Sequence, residues 1–176
     1  MPRFERTNAA IFVYTYKEGP LAGLGHDLRL RVTRCLIEIS EDLSEIRAEV
    51  EPSLEVDAAW SRQGRFHQLS PKEKRAIEQA IRTEVLVFRE PISFASSSIL
   101  IEGGSARIEG TLTLAGVTSS IALSAQKEVA AQGLERSLDR WQARFPLLLT
   151  DFGLRPYRAA LGALRVKNQI EIEVKV

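Results

Sequence analysis

Ser105-Ala106-Arg107-Ile108-Glu109-Gly110-Thr111-Leu112-Thr113-Leu114-Ala115-Gly116-Val117-Thr118 alternates in character residue by residue. Ala106, Ile108, Leu112 and Leu114 fall on one face, and Arg107, Glu109, Thr111 and Thr113 on the other. Successive side chains of a strand point to opposite faces, so this segment is a strand with one dry and one wet side, as in antiparallel sheets. Gly110 stands in the apolar row, where a missing side chain implies a bend or a close approach of a neighbouring chain. Ala115-Gly116 reads as a hairpin turn.

The rhythm extends outward in both directions. Val166, Ile170, Ile172, Val174 and Val176 alternate with Lys167, Gln169, Glu171, Glu173 and Lys175. Leu28, Leu30 and Val32 alternate with Arg29, Arg31 and Thr33, and Ile46, Ala48, Val50, Leu54 and Val56 with Arg47, Glu49, Glu51 and Glu55. Between Val32 and Leu36 the phase slips, which a bulge or tight turn near Thr33-Arg34 explains. Ala10–Tyr16, Ile92–Ile101, Ser119–Gln126 and Leu138–Leu149 are further strands, and Gly103-Gly104 marks another hairpin. The expected fold class is mainly β, an antiparallel up-and-down arrangement of about eight strands in one domain spanning 1–176.

One helix interrupts the strands. Ser70-Pro71-Lys72-Glu73 is a capping box with proline at the first helical position, and it opens a helix over Ser70–Thr83. Ile77, Ala80 and Ile81 give that helix a narrow apolar stripe, so one face docks and the rest is solvated. Leu154, Tyr157, Leu161 and Leu164 recur at helical spacing and predict a second short helical turn.

Composition removes several functions. With 24 Lys+Arg against 23 Asp+Glu the chain has no basic footprint for nucleic acid. Cys35 is the sole cysteine, which excludes an intrachain disulfide and a cysteine-built zinc site; His26 and His67 are too few for a multi-histidine metal centre. No cofactor motif is present. Neither a signal-like start nor an apolar run long enough to cross a bilayer is visible, so the expected compartment is the cytoplasm, or the periplasm where a signal has been removed.

Gly25-His26-Asp27 is the most conspicuous polar cluster. An acid/base role for His26 with Asp27 or Asp151 would make the chain a hydrolase or isomerase, but neighbouring strand residues point to opposite faces. Asp27 then reads as a turn-capping residue and His26 as a half-buried, backbone-bonded histidine. Ser96-Ser97-Ser98 lacks the strand-to-helix elbow that exposes a hydrolase serine, so no catalytic residue is expected. The aromatics Trp60 and Phe66 flank a polar loop and suit the cover of a pocket or partner.

The apolar faces are the remaining candidate site. Phe12, Tyr14, Leu28, Leu30, Phe94, Leu112, Trp141 and Phe145 are expected to line one continuous interior, with Ala106, Gly110, Ala125 and Ala143 as its small members. An eight-stranded barrel is either just filled by its side chains or holds one small ligand. Periodicity stops at a barrel or a sandwich, hollow or filled.

Four segments in order resemble the YceI-like family of lipid-binding proteins. They are Gly25-His26-Asp27-Leu28-Arg29-Leu30-Arg31-Val32; Leu69-Ser70-Pro71-Lys72 running on to Pro91-Ile92-Ser93-Phe94-Ala95-Ser96; Ile108 to Thr118; and Asp151-Phe152-Gly153-Leu154 followed by the last strand. The resemblance implies an extended lipocalin-like antiparallel barrel with the helix packed beside it. It also implies non-enzymatic carriage or sequestration of an isoprenoid-like or other long-chain lipid inside that barrel. The alternative is a filled barrel serving as a structural or protein-interaction domain. Head-group donors at the opening would be His26, Arg65, Arg155 and Arg158, and a homodimer is compatible with the exposed strand edges.

Overall fold

The computed structural model describes residues 2–5, 8–60, 65–128 and 140–176. Strand β1 (Arg3–Glu5) is followed by β2 (Ala10–Thr15), β3 (Lys17–Glu18), β4 (Asp27–Val32) and β5 (Cys35–Ile39). Next come β6 (Ile46–Val50), β7 (Leu54–Trp60), β8 (Phe66–His67) and helix α1 (Pro71–Ala80), which continues as a π turn over Ile81–Val85. Strands β9 (Ile92–Glu102), β10 (Ser105–Leu114), β11 (Val117–Lys127) and β12 (Trp141–Leu148) form a meander. The chain ends through β13 (Arg158–Ala159), β14 (Leu164–Val166) and β15 (Gln169–Lys175). Residues 138–139 of the expected Leu138–Leu149 strand lie outside the described residues, as do residues 61–64 of the aromatic loop.

Pairing carries the sheet into a ring. The meander passes from β12 to β15, from β15 to β2, and from β2 to β4, all antiparallel. Strand β4 pairs with β7, and β5 pairs with β6. The ladder does not stop between these two pairs: the Thr33 amide donates to the Ser53 carbonyl at 3.1 Å, and the Glu51 amide donates to the Arg34 carbonyl at 3.2 Å. Residues 27–39 and 46–60 therefore form a single bent hairpin. One half of it joins β2, and the other half joins β9 through β6. Counted this way the ring has eight strands, and the phase slip at Thr33-Arg34 is its bend. Pro52 sits opposite that bend between the two ladder bonds, where the N–H it lacks is not needed.

Gly110 marks a second irregularity. The β9–β10 register shifts there, and a Cβ on Gly110 would stand 2.4 Å from the Ala95 carbonyl oxygen and 2.7 Å from the Phe94 ring. The neighbouring strand thus presses close at the position predicted from the broken apolar row. Ser96, in the same strand, accepts a hydrogen bond from the Ile46 amide at 2.8 Å, a role in strand pairing rather than catalysis.

Helix α1 opens as its sequence dictates: the Ser70 hydroxyl accepts from the Glu73 amide at 3.3 Å, and the Glu73 carboxylate accepts from the Ser70 amide at 2.9 Å. Glu78 accepts from the Val56 amide at 2.8 Å and ties the helix to the barrel wall. Ile77 and Ile81 then pack against the core around Leu30, Val56, Leu69 and Phe152.

Of the predicted helical turn over Leu154–Leu164 only a distorted 3-10 turn at Ala160–Gly162 is present. Strands β13 and β14 pair there, and β14 pairs with β3 to complete a three-stranded sheet at one end of the barrel. Pro156 explains the failure, because it donates no amide hydrogen bond and pushes the preceding residue out of helical space. Ala160, Leu161 and Gly162 turn the chain at φ of 48°, 56° and 86°, and this leaves Leu161 wholly exposed.

Candidate functional site

The eight strands and the apolar stripe of α1 enclose a cavity of about 620 Å³, well within the ~300–1,000 Å³ typical of small-molecule sites. Ile11 and Val13 contribute from β2, Leu28, Leu30 and Val32 from β4, and Ile170, Ile172 and Val174 from β15. Ala76, Ile77, Ala80 and Ile81 close one side from the helix. Leu28, Leu30, Phe94, Leu112, Trp141 and Phe145 all line this space, as their alternation predicts, and His26 stands at its edge. The wall is therefore apolar over most of its length, and the interior is hollow.

Phe12 and Tyr14 are corrections to the expected lining. Ile11, Val13 and Thr15 face the cavity, so the aromatics point outward. Both rows of this strand are apolar enough to be buried, and ring size favoured the wrong one. The outer row is covered by its neighbours. The Arg29 guanidinium lies 5.1 Å from the Phe12 ring and that of Arg144 lies 4.3 Å from the Tyr14 ring, while Trp60 meets Tyr14 edge-on at 5.6 Å. Tyr14 donates to the buried Glu173 carboxylate at 2.9 Å, which also accepts from Gln142 at 2.5 Å. Burial first, and the Glu173 carboxylate second, push the Tyr14 hydroxyl pKa above its ordinary value.

The polar end of the cavity is built by the loop after β3 and by β14. Leu24 lines the cavity yet is 76% exposed, which places it at the mouth. Thr15, Lys17, His26, Tyr157 and Arg165 are polar members of the lining at this end. Lys17 donates its ammonium to the Gly25 carbonyl at 2.8 Å. His26 is exposed, and its ring centroid is 6.0 Å from that of His67. Asp27 is buried, and its carboxylate accepts from the Lys17 amide at 2.7 Å. The carboxylate next to His26 is thus engaged in fixing the loop, as expected of a turn-capping residue. Asp151 is exposed in a 3-10 turn.

Arg155 and Arg158 are exposed and, with Arg65, are absent from the cavity lining. Lys17 and Arg165 take the positions at the edge that those arginines were expected to hold. Sequence reasoning missed both, since Lys17 lies in a two-residue strand and Arg165 in a segment misread as helical. At the opposite end, Ala106, Ala125 and Ala143 form a row of direct cross-strand partners through β10, β11 and β12. All three are buried and line the cavity, and their small side chains leave it room there. Among the described residues no group of three or more His, Cys, Asp or Glu side chains could hold a metal ion. None of the described helices is long and apolar enough to cross a membrane.

A family model described as YceI-like domain matches residues 71–176. No match is found among curated proteins. Among solved structures, BcnA from Burkholderia cenocepacia superposes with a TM-score of 0.59 over 97% of each chain at 9% identity. The YCEI protein of Campylobacter jejuni gives 0.50 over 85% of this chain and 82% of that one, at 12% identity. A mutant of that protein gives 0.52 over the same shares, at 13% identity. At such identities the likeness is one of fold.

Proposed function

The chain belongs to the YceI-like domain family, and on that premise we propose that it binds a single long-chain, isoprenoid-like or otherwise amphiphilic lipid inside its barrel. It carries or sequesters this lipid and performs no chemistry on it. The observation that supports the reading is the continuous apolar wall around about 620 Å³ of space. A wall of this kind needs no polar chemistry to hold a chain. Each buried methylene contributes roughly 0.8 kcal/mol, so about twenty buried carbons contribute on the order of 16 kcal/mol. Loss of translation and ordering of the chain remove about half of this, which leaves about 8 kcal/mol, close to micromolar binding. The alternative of a filled barrel sits poorly with so large an interior.

Native mass spectrometry of protein purified without detergent tests the proposal. The expected result is a retained apolar adduct, or stoichiometric uptake of an added polyprenol by the apo protein. A clean apo mass that stays unchanged across polyprenols, fatty alcohols and fatty acids overturns it.

A further inference from the structure

The mouth of the barrel carries a surface that holding a chain inside does not require. Two loops lie side by side there, residues 19–25 and 153–163, joined where the Leu21 amide donates to the Ala163 carbonyl at 2.9 Å. Leu24 is 76% exposed and Leu161 wholly so, with Leu21 beside them at 39%. Leu161 gains no burial from folding. Its backbone, at φ 56° next to Ala160 at 48°, is one that non-glycine residues adopt reluctantly. Neither packing nor backbone preference accounts for a leucine at that tip.

Charge along the second loop and the strand after it is basic, with Glu18 standing opposite Arg165 in β3. Between Asp151 and Glu171 the chain carries Arg155, Arg158, Arg165 and Lys167 and no acidic residue. Arg158 and Arg165 are direct cross-strand partners in β13 and β14, an opposition of like charges that destabilises a sheet. Arg165 keeps a buried Nε with no hydrogen-bond partner, and the nearby Glu18 carboxylate stands 3.7 Å away. The Arg165 side chain is otherwise 42% exposed, and an anion between the two arginines relieves their mutual repulsion.

We propose that this lip docks the protein on an anionic membrane surface. Leu24 and Leu161 enter the boundary between head groups and acyl chains, and Arg158 and Arg165 receive lipid phosphate oxygens. Interfacial binding of this kind sums buried apolar area and attraction to anionic lipid. Guanidinium forks match phosphate oxygens bidentately. The same docking sets the cavity mouth against the source of a lipid, but it does not depend on the cavity being loaded. Its test therefore stands apart from the uptake experiment.

Co-sedimentation with vesicles of phosphatidylcholine, with and without phosphatidylglycerol, reads the docking directly. The protein is expected to pellet with the anionic vesicles, to stay in the supernatant with the neutral ones, and to be released by high salt. Each basic residue near such a surface multiplies partitioning roughly fivefold, so Arg158→Gln, which removes one of the two phosphate contacts, lowers it about fivefold. Leu161→Asp lowers it as well, while its melting temperature and its uptake of polyprenol stay those of the wild type. Equal pelleting with both vesicle types, no pelleting at all, or unchanged partitioning of folded variants overturns the proposal. So does a dimer in sedimentation velocity that Leu161→Asp dissociates without any change in vesicle binding.

Discussion

Replacing Ala125 by phenylalanine should turn the barrel into a ruler for chain length. Ala125 is buried at the centre of the row Ala106, Ala125, Ala143, and its methyl group faces the cavity. Ile11 adjoins this row through Val174, and Thr15, near the mouth, is four residues along the same strand from it, about 14 Å away. The row thus lies at the end of the cavity away from Leu24. A phenyl ring there takes the place of roughly five methylenes, which at about 0.8 kcal/mol each removes about 4 kcal/mol from a chain that fills the cavity. That is close to a thousandfold in Kd. A chain some five carbons shorter never reaches the ring and keeps its affinity. Isothermal titration with a length series of fatty alcohols measures this, and circular dichroism melting checks that the variant folds. A loss equal at every length, or none at any length, refutes the placement of the chain and of its inner end.

Other perturbations probe the frame. Gly110→Ala forces a methyl group against the Ala95 carbonyl and the Phe94 ring, and should lower stability by about 1–3 kcal/mol in calorimetry; an unchanged melting temperature contradicts the close approach. Ser70→Ala removes the helix cap and should lower stability by about 1 kcal/mol in denaturant titration, with the kind of ligand bound left as it was. The Ser70 hydroxyl and amide hold the Glu73 carboxyl below its ordinary 4.5. A depressed carboxylate adds stability above that value and loses it as pH falls through the folded-state pKa. Glu73→Gln should therefore flatten the acid limb of a stability-against-pH curve, and a limb of unchanged steepness assigns it to other carboxylates. Leu112→Asp puts an unpaired carboxylate on the cavity wall and should abolish folding or polyprenol uptake; normal behaviour in both would mean that residue 112 faces outward.

The sequence was most legible where one face of a strand is polar. Arg107, Glu109, Thr111 and Thr113 leave only one way to orient β10, and the charged row of β15 does the same for Ile170, Ile172 and Val174. Strand β2 has no such row. Its outward aromatics are covered by Arg29 and Arg144, which come from β4 and β12 and are not neighbours in sequence. A period of two could not tell that cover from a core. The segment over Leu154–Leu164 misled for a different reason. Four apolar residues at helical spacing outweighed Pro156, and the partner that makes the segment a sheet is the two-residue strand β3. The polar end of the site was hidden with it, since Arg165 belongs to the strand paired with β3. Only His26, fixed by the start of β4, was within reach.

The ring closes through its chronologically last member. Strand β15 lies between β12 and β2, and the Tyr14–Glu173 hydrogen bond joins residues 159 positions apart. During translation, at about 5–20 residues per second, β2 emerges on the order of ten to thirty seconds before that partner exists. For that interval it carries two apolar rows, Ile11 and Val13 on one side and Phe12 and Tyr14 on the other, and one unpaired edge. Such an edge is a template for any passing strand. Shielding Ala10–Thr15 while the ribosome finishes the chain is thus a demand that this topology makes before folding can be completed.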